Sequence, residues 1–109
     1  MSLYNFDSTD TNNIMRTKPQ IDKLMVKFGI QEKMNNLFKY ILANHTCEDL
    51  DIENKNISIN SKNLKYSKTE FDYHKFQAPI LNDNKTQIGY FALVVTNDSE
   101  IIDEYFVIN

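Results

Sequence analysis

The residue types able to do covalent or metal chemistry are few in this sequence. His45, His74 and Cys47 are its only imidazoles and its only thiol. A thiolate nucleophile needs a base beside it and a third group to orient that base. His45 and Cys47 stand two positions apart at the end of an expected helix, where their side chains do not face one another, and nothing nearby supplies the orienting group. They read as a helix-terminal histidine favoured by the dipole and a small buried thiol. A metal centre needs three or four convergent ligands, and His45, Cys47, His74 and Asp72 match no ligand spacing. Asp72 and His74, on one face of a strand, read as solvated surface. With two glycines in the chain there is no Gly-rich loop to cradle a phosphate. No catalytic residue, metal or cofactor is expected.

What remains is charge, and it is unevenly placed. From residue 86 to 109 the chain carries Asp98, Glu100, Asp103 and Glu104 with no Lys or Arg. A second acidic run holds Glu48, Asp49, Asp51 and Glu53. Between them, residues 54 to 68 carry Lys55, Lys62, Lys65 and Lys68 with no acid. Carboxylates at and beyond a turn stay solvated, which is unlike a general acid and base pair whose environments push their pKa values apart. Beside aromatic groups such as Tyr105, with Tyr90 and Phe91 across the ladder, they suit recognition of a basic partner. The lysines, interleaved with Tyr66, Phe71 and Tyr73, suit nucleic acid, but a pI of about 5.3 argues against a dedicated binder.

The elements that must position these groups follow from periodicity. The 109 residues, 41% hydrophobic and 25% charged, fit one domain with one core. Residues 1–17 are polar and aperiodic and are expected to be a flexible arm, with Leu3, Tyr4 and Phe6 able to dock; residues 18–109 form the domain. Pro19 suits a first helical turn, and Ile21, Leu24, Met25 and Phe28 form one stripe ending at Gly29. Met34, Leu37, Phe38, Ile41 and Leu42 predict a second helix over 31–45. The pattern then alternates. A short hairpin or edge strand is expected around Ile52, Ile57 and Ile59, then a strand to Leu81 whose Pro79 points to an edge or bulge. A central strand over 87–96, apolar on both faces, and a final strand in which Ile102, Phe106 and Ile108 share a face complete the pattern. The expected fold is α+β, two N-terminal helices on a three- to four-stranded antiparallel meander. No stretch reaches the roughly 20 apolar residues of a membrane span, and the start is not a secretory signal, so a cytoplasmic chain is expected.

In size, acidity, richness in Asn and Lys, and its C-terminal hairpin from Gly89 to Ile108, the chain resembles the bacterial immunity proteins that neutralise secreted or contact-delivered toxins, including those of contact-dependent growth inhibition. The resemblance implies a non-catalytic protein whose partner is a cognate toxin, basic if a nuclease, occluded by carboxylates and aromatic anchors. Asp98, Glu100, Asp103, Glu104 and Tyr105 are the first candidate surface, and Glu48, Asp49, Asp51 and Glu53 the second. A cone-shaped domain, with helices closed over a curved sheet around a ligand or active-site pocket, is the alternative, and a nucleic-acid-binding module the third.

Overall fold

The computed structural model describes residues 18–109, so the expected arm over 1–17 lies outside the described residues. Helix α1 (Lys18–Phe28) and helix α2 (Ile30–Asn44) are separated by Gly29 alone. Gly29 sits at φ 60°, ψ 40°, the left-handed region where a Cβ is strained, and this single residue turns the chain. Its N–H donates to Val26 O and its carbonyl accepts from Lys33 N, so both helix ends are closed through the corner. The spacing of Ile30, Met34, Phe38 and Ile41 puts one buried stripe along α2.

A single helical turn not anticipated from the periodicity, α3 (Cys47–Leu50), follows. Thr46 and Asp49 form a reciprocal capping box, the Thr46 hydroxyl accepting from Asp49 N and the Asp49 carboxylate from Thr46 N. His45, exposed, ends α2, and Cys47 opens α3.

The sheet has five antiparallel strands rather than three or four: β1 (Ser58–Ile59), β2 (Lys65–Lys68), β3 (His74–Leu81), β4 (Gln87–Val95) and β5 (Ile101–Ile108). Strand β4 lies between β3 and β5, while β1 and β2 both pair with the other edge of β3. The extra strand comes from a break opposite Pro79. Pro79 has no N–H, and its carbonyl accepts from Asn60 N on that edge. Strand β2 pairs with residues up to Gln77, and β1 with Ile80 and Leu81, so the edge is split where the donor is missing. Pro79 thus lies within an interior strand, and the edge beside it absorbs the cost.

Alternation along β3 and β4 turns His74, Phe76, Ala78, Ile80, Phe91, Leu93 and Val95 toward the helices. Phe28, Ile30, Met34 and Phe38 fill the layer between, and Phe38 stacks on Phe106 and meets Phe91 edge-on. Each such ring contributes about 1.5–3 kcal/mol by burial. Phe106 and Ile108 join this face, whereas Ile102 falls at a register shift and is exposed. The opposite face, with Lys75, Gln77, Tyr90, Ala92, Val94 and Tyr105, has no helix on it among the described residues.

His74 corrects the expected solvated strand face. It is 3% exposed, and Asp72 lies apart from it in the β2–β3 turn at φ 68°, paired with Lys68. The His74 ring packs against Phe28, its Nε2–H donates to Asn97 Oδ1 at 2.6 Å, and its Nδ1 accepts from the Tyr66 hydroxyl at 2.7 Å. An amide oxygen only accepts, so the ring carries its proton on Nε2 and both nitrogens are satisfied.

Removing one partner leaves a buried imidazole nitrogen without its bond. Tyr66→Phe and Asn97→Ala are each expected to lower stability by about 1–3 kcal/mol in urea unfolding, with sub-additive effects in the double variant. Gly89 approaches β5 so closely that a Cβ there meets the Val107 carbonyl oxygen. Gly89→Ala should therefore destabilise by about 1–3 kcal/mol in the same measurement.

Candidate protein-binding surface

The β4–β5 turn is built by Thr96. Its N–H donates to Glu100 O, its carbonyl accepts from Ser99 N, and its hydroxyl accepts from Asp98 N and Glu100 N. Ser99 adopts φ 72° to close the turn. From the helix side, the Lys33 ammonium donates to both Ser99 O and Ser99 Oγ, Ser99 Oγ donates to Phe28 O, and Asn97 holds His74. The turn is thereby fixed to the α1–α2 corner and to β3 at once. Asp98 and Glu100 are left exposed on a rigid support.

Beyond the turn, residues 101 to 105 are all exposed. The register sets Asp103 opposite Val94 and Tyr105 opposite Ala92, placing both on the open face of the sheet. Glu104, opposite Leu93, takes the helix-side face. Asn109 N–H donates to Ile88 O, so by the alternation of an antiparallel ladder the backbone groups of 104, 106 and 108 point away from β4. The outward N–H of Glu104 donates to Asp103 Oδ1 at 2.9 Å. This carboxylate covers an edge donor, which protects β5 from indiscriminate strand pairing.

Hydrogen bonding with the Asp103 side chain, then the negative charge of Asp103, holds the Tyr105 phenol above the ordinary tyrosine range. The Lys75 ammonium lies 5.1 Å from the Tyr105 ring centroid. The exposed Tyr105 ring thus has a carboxylate and a lysine beside it. Phe91, by contrast, is wholly buried against Phe38 and Phe106, so it takes no part in the exposed surface expected of it.

The second acidic run lies at the other end of the sheet. Glu48, Asp49, Asp51 and Glu53 are exposed around α3, but the Asp49 carboxylate is engaged in the capping box. Asp51 and Glu53 line a groove of about 470 Å³ whose wall includes Ile88, Ile108 and, from the β3–β4 turn, Asp83. The β4–β5 turn and this groove are separated by the length of β5, roughly 25 Å at the rise of an extended chain. The two candidate patches are therefore distinct surfaces.

The lysines do not gather with the rings interleaved among them. Lys55 donates to Leu42 O, and Lys68 pairs with Asp72. Tyr66 turns inward onto His74 and Phe76. Phe71, 71% exposed, packs on Tyr73 at the β2–β3 turn. Asn97, Ser99 and Asp83 carry a turn signal in the sequence, but the contacts that tie Lys33, Asn97 and Ser99 to partners far along the chain, and the groove that Asp83 borders, leave no local pattern.

Among the described residues no helix is long and apolar enough to cross a membrane, and no group of three or more His, Cys, Asp or Glu is placed to hold a metal ion. No family model, curated protein or solved structure matches this chain.

The Asp103 and Tyr105 pair gives a direct check of the surface geometry. Because the folded state raises the phenol's pKa, its contribution to stability is present below the ordinary tyrosine value and fades as pH rises through the folded one. Asp103→Asn should lower the Tyr105 transition in an ultraviolet absorbance titration, and an unchanged transition would show that Asp103 is not its partner.

Proposed function

We propose that the chain is a non-catalytic protein-binding domain, an immunity protein that neutralises a cognate basic toxin by placing the carboxylates and ring of its last hairpin over the toxin's active site. The observation that carries this reading is the combination of rigid support and free display. Lys33, Ser99 and the His74–Asn97 bond hold the β4–β5 turn, while Asp98, Glu100 and residues 101 to 105 remain exposed. Preorganised charge of one sign speeds encounter with a basic partner, and a ring such as Tyr105 desolvates on docking and slows release.

The layer beneath the helices supports the same reading over the cone-shaped alternative. Phe28, Ile30, Met34, Phe76, Phe91 and Leu93 fill it, and the histidine facing it has both nitrogens bonded to groups of its own chain. A pocket domain would hold its converging polar groups open toward a ligand there.

Asp98 and Glu100 contribute backbone groups to the turn, so their side chains can be changed with little cost to the fold. The double variant Asp98→Lys, Glu100→Lys is expected to keep the native unfolding midpoint and to lose protection when co-expressed with the basic toxin domain that the unaltered chain neutralises. Loss of affinity should be about tenfold or more, mostly through slower association at low salt. Full protection by the folded variant would refute the hairpin as the inhibitory surface.

A further inference from the structure

The groove at the far end of β5 has a make-up unlike the hairpin. Ile52, Ile57, Ile88 and Ile108, all half-buried, line its floor, and Ile57, Ile88 and Ile108 also border the core. Asp51, Glu53 and Asp83 stand around that floor, asparagine and glutamine amides complete the rim, and no Lys or Arg among the described residues lines it. Lys55, the lysine nearest in sequence to Glu53, is drawn to the carbonyl of Leu42 on α2. Its volume of about 470 Å³ is large enough for a short stretch of chain rather than one head group.

We infer that this groove is a second docking site, which takes a lysine- or arginine-bearing peptide segment of a partner protein. The aliphatic stem of a basic side chain packs on isoleucines while its charged head reaches outward to carboxylates, a division that matches a floor of Ile52, Ile57, Ile88 and Ile108 beneath Asp51, Glu53 and Asp83. Apolar neighbours of that side chain cover the remaining floor, and rim amides bond the extended backbone. A neutral or acidic segment would desolvate the three carboxylates without an opposite charge, so the site discriminates by sign. The inference stands apart from the hairpin reading, because the groove uses none of the hairpin's charged residues.

Isoleucine methyl NMR separates the two surfaces in one spectrum. Ile52, Ile57, Ile88 and Ile108 report the groove, and Ile101 and Ile102 report the hairpin. The probe is the peptide acetyl-Leu-Lys-Leu-Lys-Leu-amide, with the glutamate counterpart and free spermidine as controls. The lysine peptide is expected to shift the four groove methyls saturably, the glutamate peptide to leave them unmoved, and spermidine to bind more weakly than the lysine peptide. Asp51→Asn, Glu53→Gln, Asp83→Asn together should weaken the lysine peptide about tenfold. Should that triple variant fold poorly, Asp83→Asn alone, in an exposed turn whose bonds come from Asn82, should weaken it severalfold. Shifts confined to Ile101 and Ile102, equal response to the glutamate peptide or spermidine, or unchanged affinity in the folded variants would overturn the groove assignment. None of these results bears on protection by the hairpin.

Discussion

Phe28 and Ile30 flank Gly29, and both are driven into the face of the sheet formed by β3 and β4. Phe28 and Ile30 would lie on nearly opposite sides of one unbroken helix, and both can be buried because the left-handed conformation of Gly29 turns the chain between them. The corner delivers more than core contacts. It brings Phe28 O and Lys33 Nζ to Ser99, and the Phe28 ring to His74. One apolar contact layer thus fixes a polar turn some seventy positions away in the chain.

Because the helices among the described residues pack on one face, the two faces of the sheet differ in chemistry. On the inside, rings and aliphatic groups exclude water and the imidazole of His74 is fully bonded. On the outside, Ala92 and Val94 are buried, and the Lys75 ammonium lies over the Tyr105 ring beside them. Strand β5 is one border of this arrangement. Its first half displays charge, its second half joins the core through Phe106 and Ile108, and Asp103 screens an edge donor with its own carboxylate. A strand so divided suits contact with side chains of a partner better than unguarded backbone pairing.

Much of this organisation was legible in the chain itself. The spacing of Met34, Phe38 and Ile41 marked α2, and the double-sided apolar run from Ile88 to Val95 marked the central strand, because periodicity directly reflects what is buried. The acidic hairpin was legible as composition. Features set by distant partners were not. His74 alternates like a surface residue, and only the arrival of Tyr66 and Asn97 makes its burial tolerable. Pro79 read as a sign of an edge or a bulge; its strand is interior, the pairing with β4 shifts register between Ile80 and Leu81, and the neighbouring edge is split opposite it. Phe91 read as a ring across the ladder from Tyr105, and the register instead set it opposite Phe106 in the core. The turn α3 is too short to generate a period, and Asp83 joins Asp51 and Glu53 only through the fold.

The central proposal is that the exposed hairpin, held from behind by the helices, is the surface that would meet a basic protein partner. Amide hydrogen exchange of the chain alone and in the presence of a basic toxin domain of the kind proposed tests this most directly. The account expects new protection concentrated on residues 98 to 105, with the core strands β3 and β4 unchanged. Protection on α1 and β2 with none on the hairpin would contradict it.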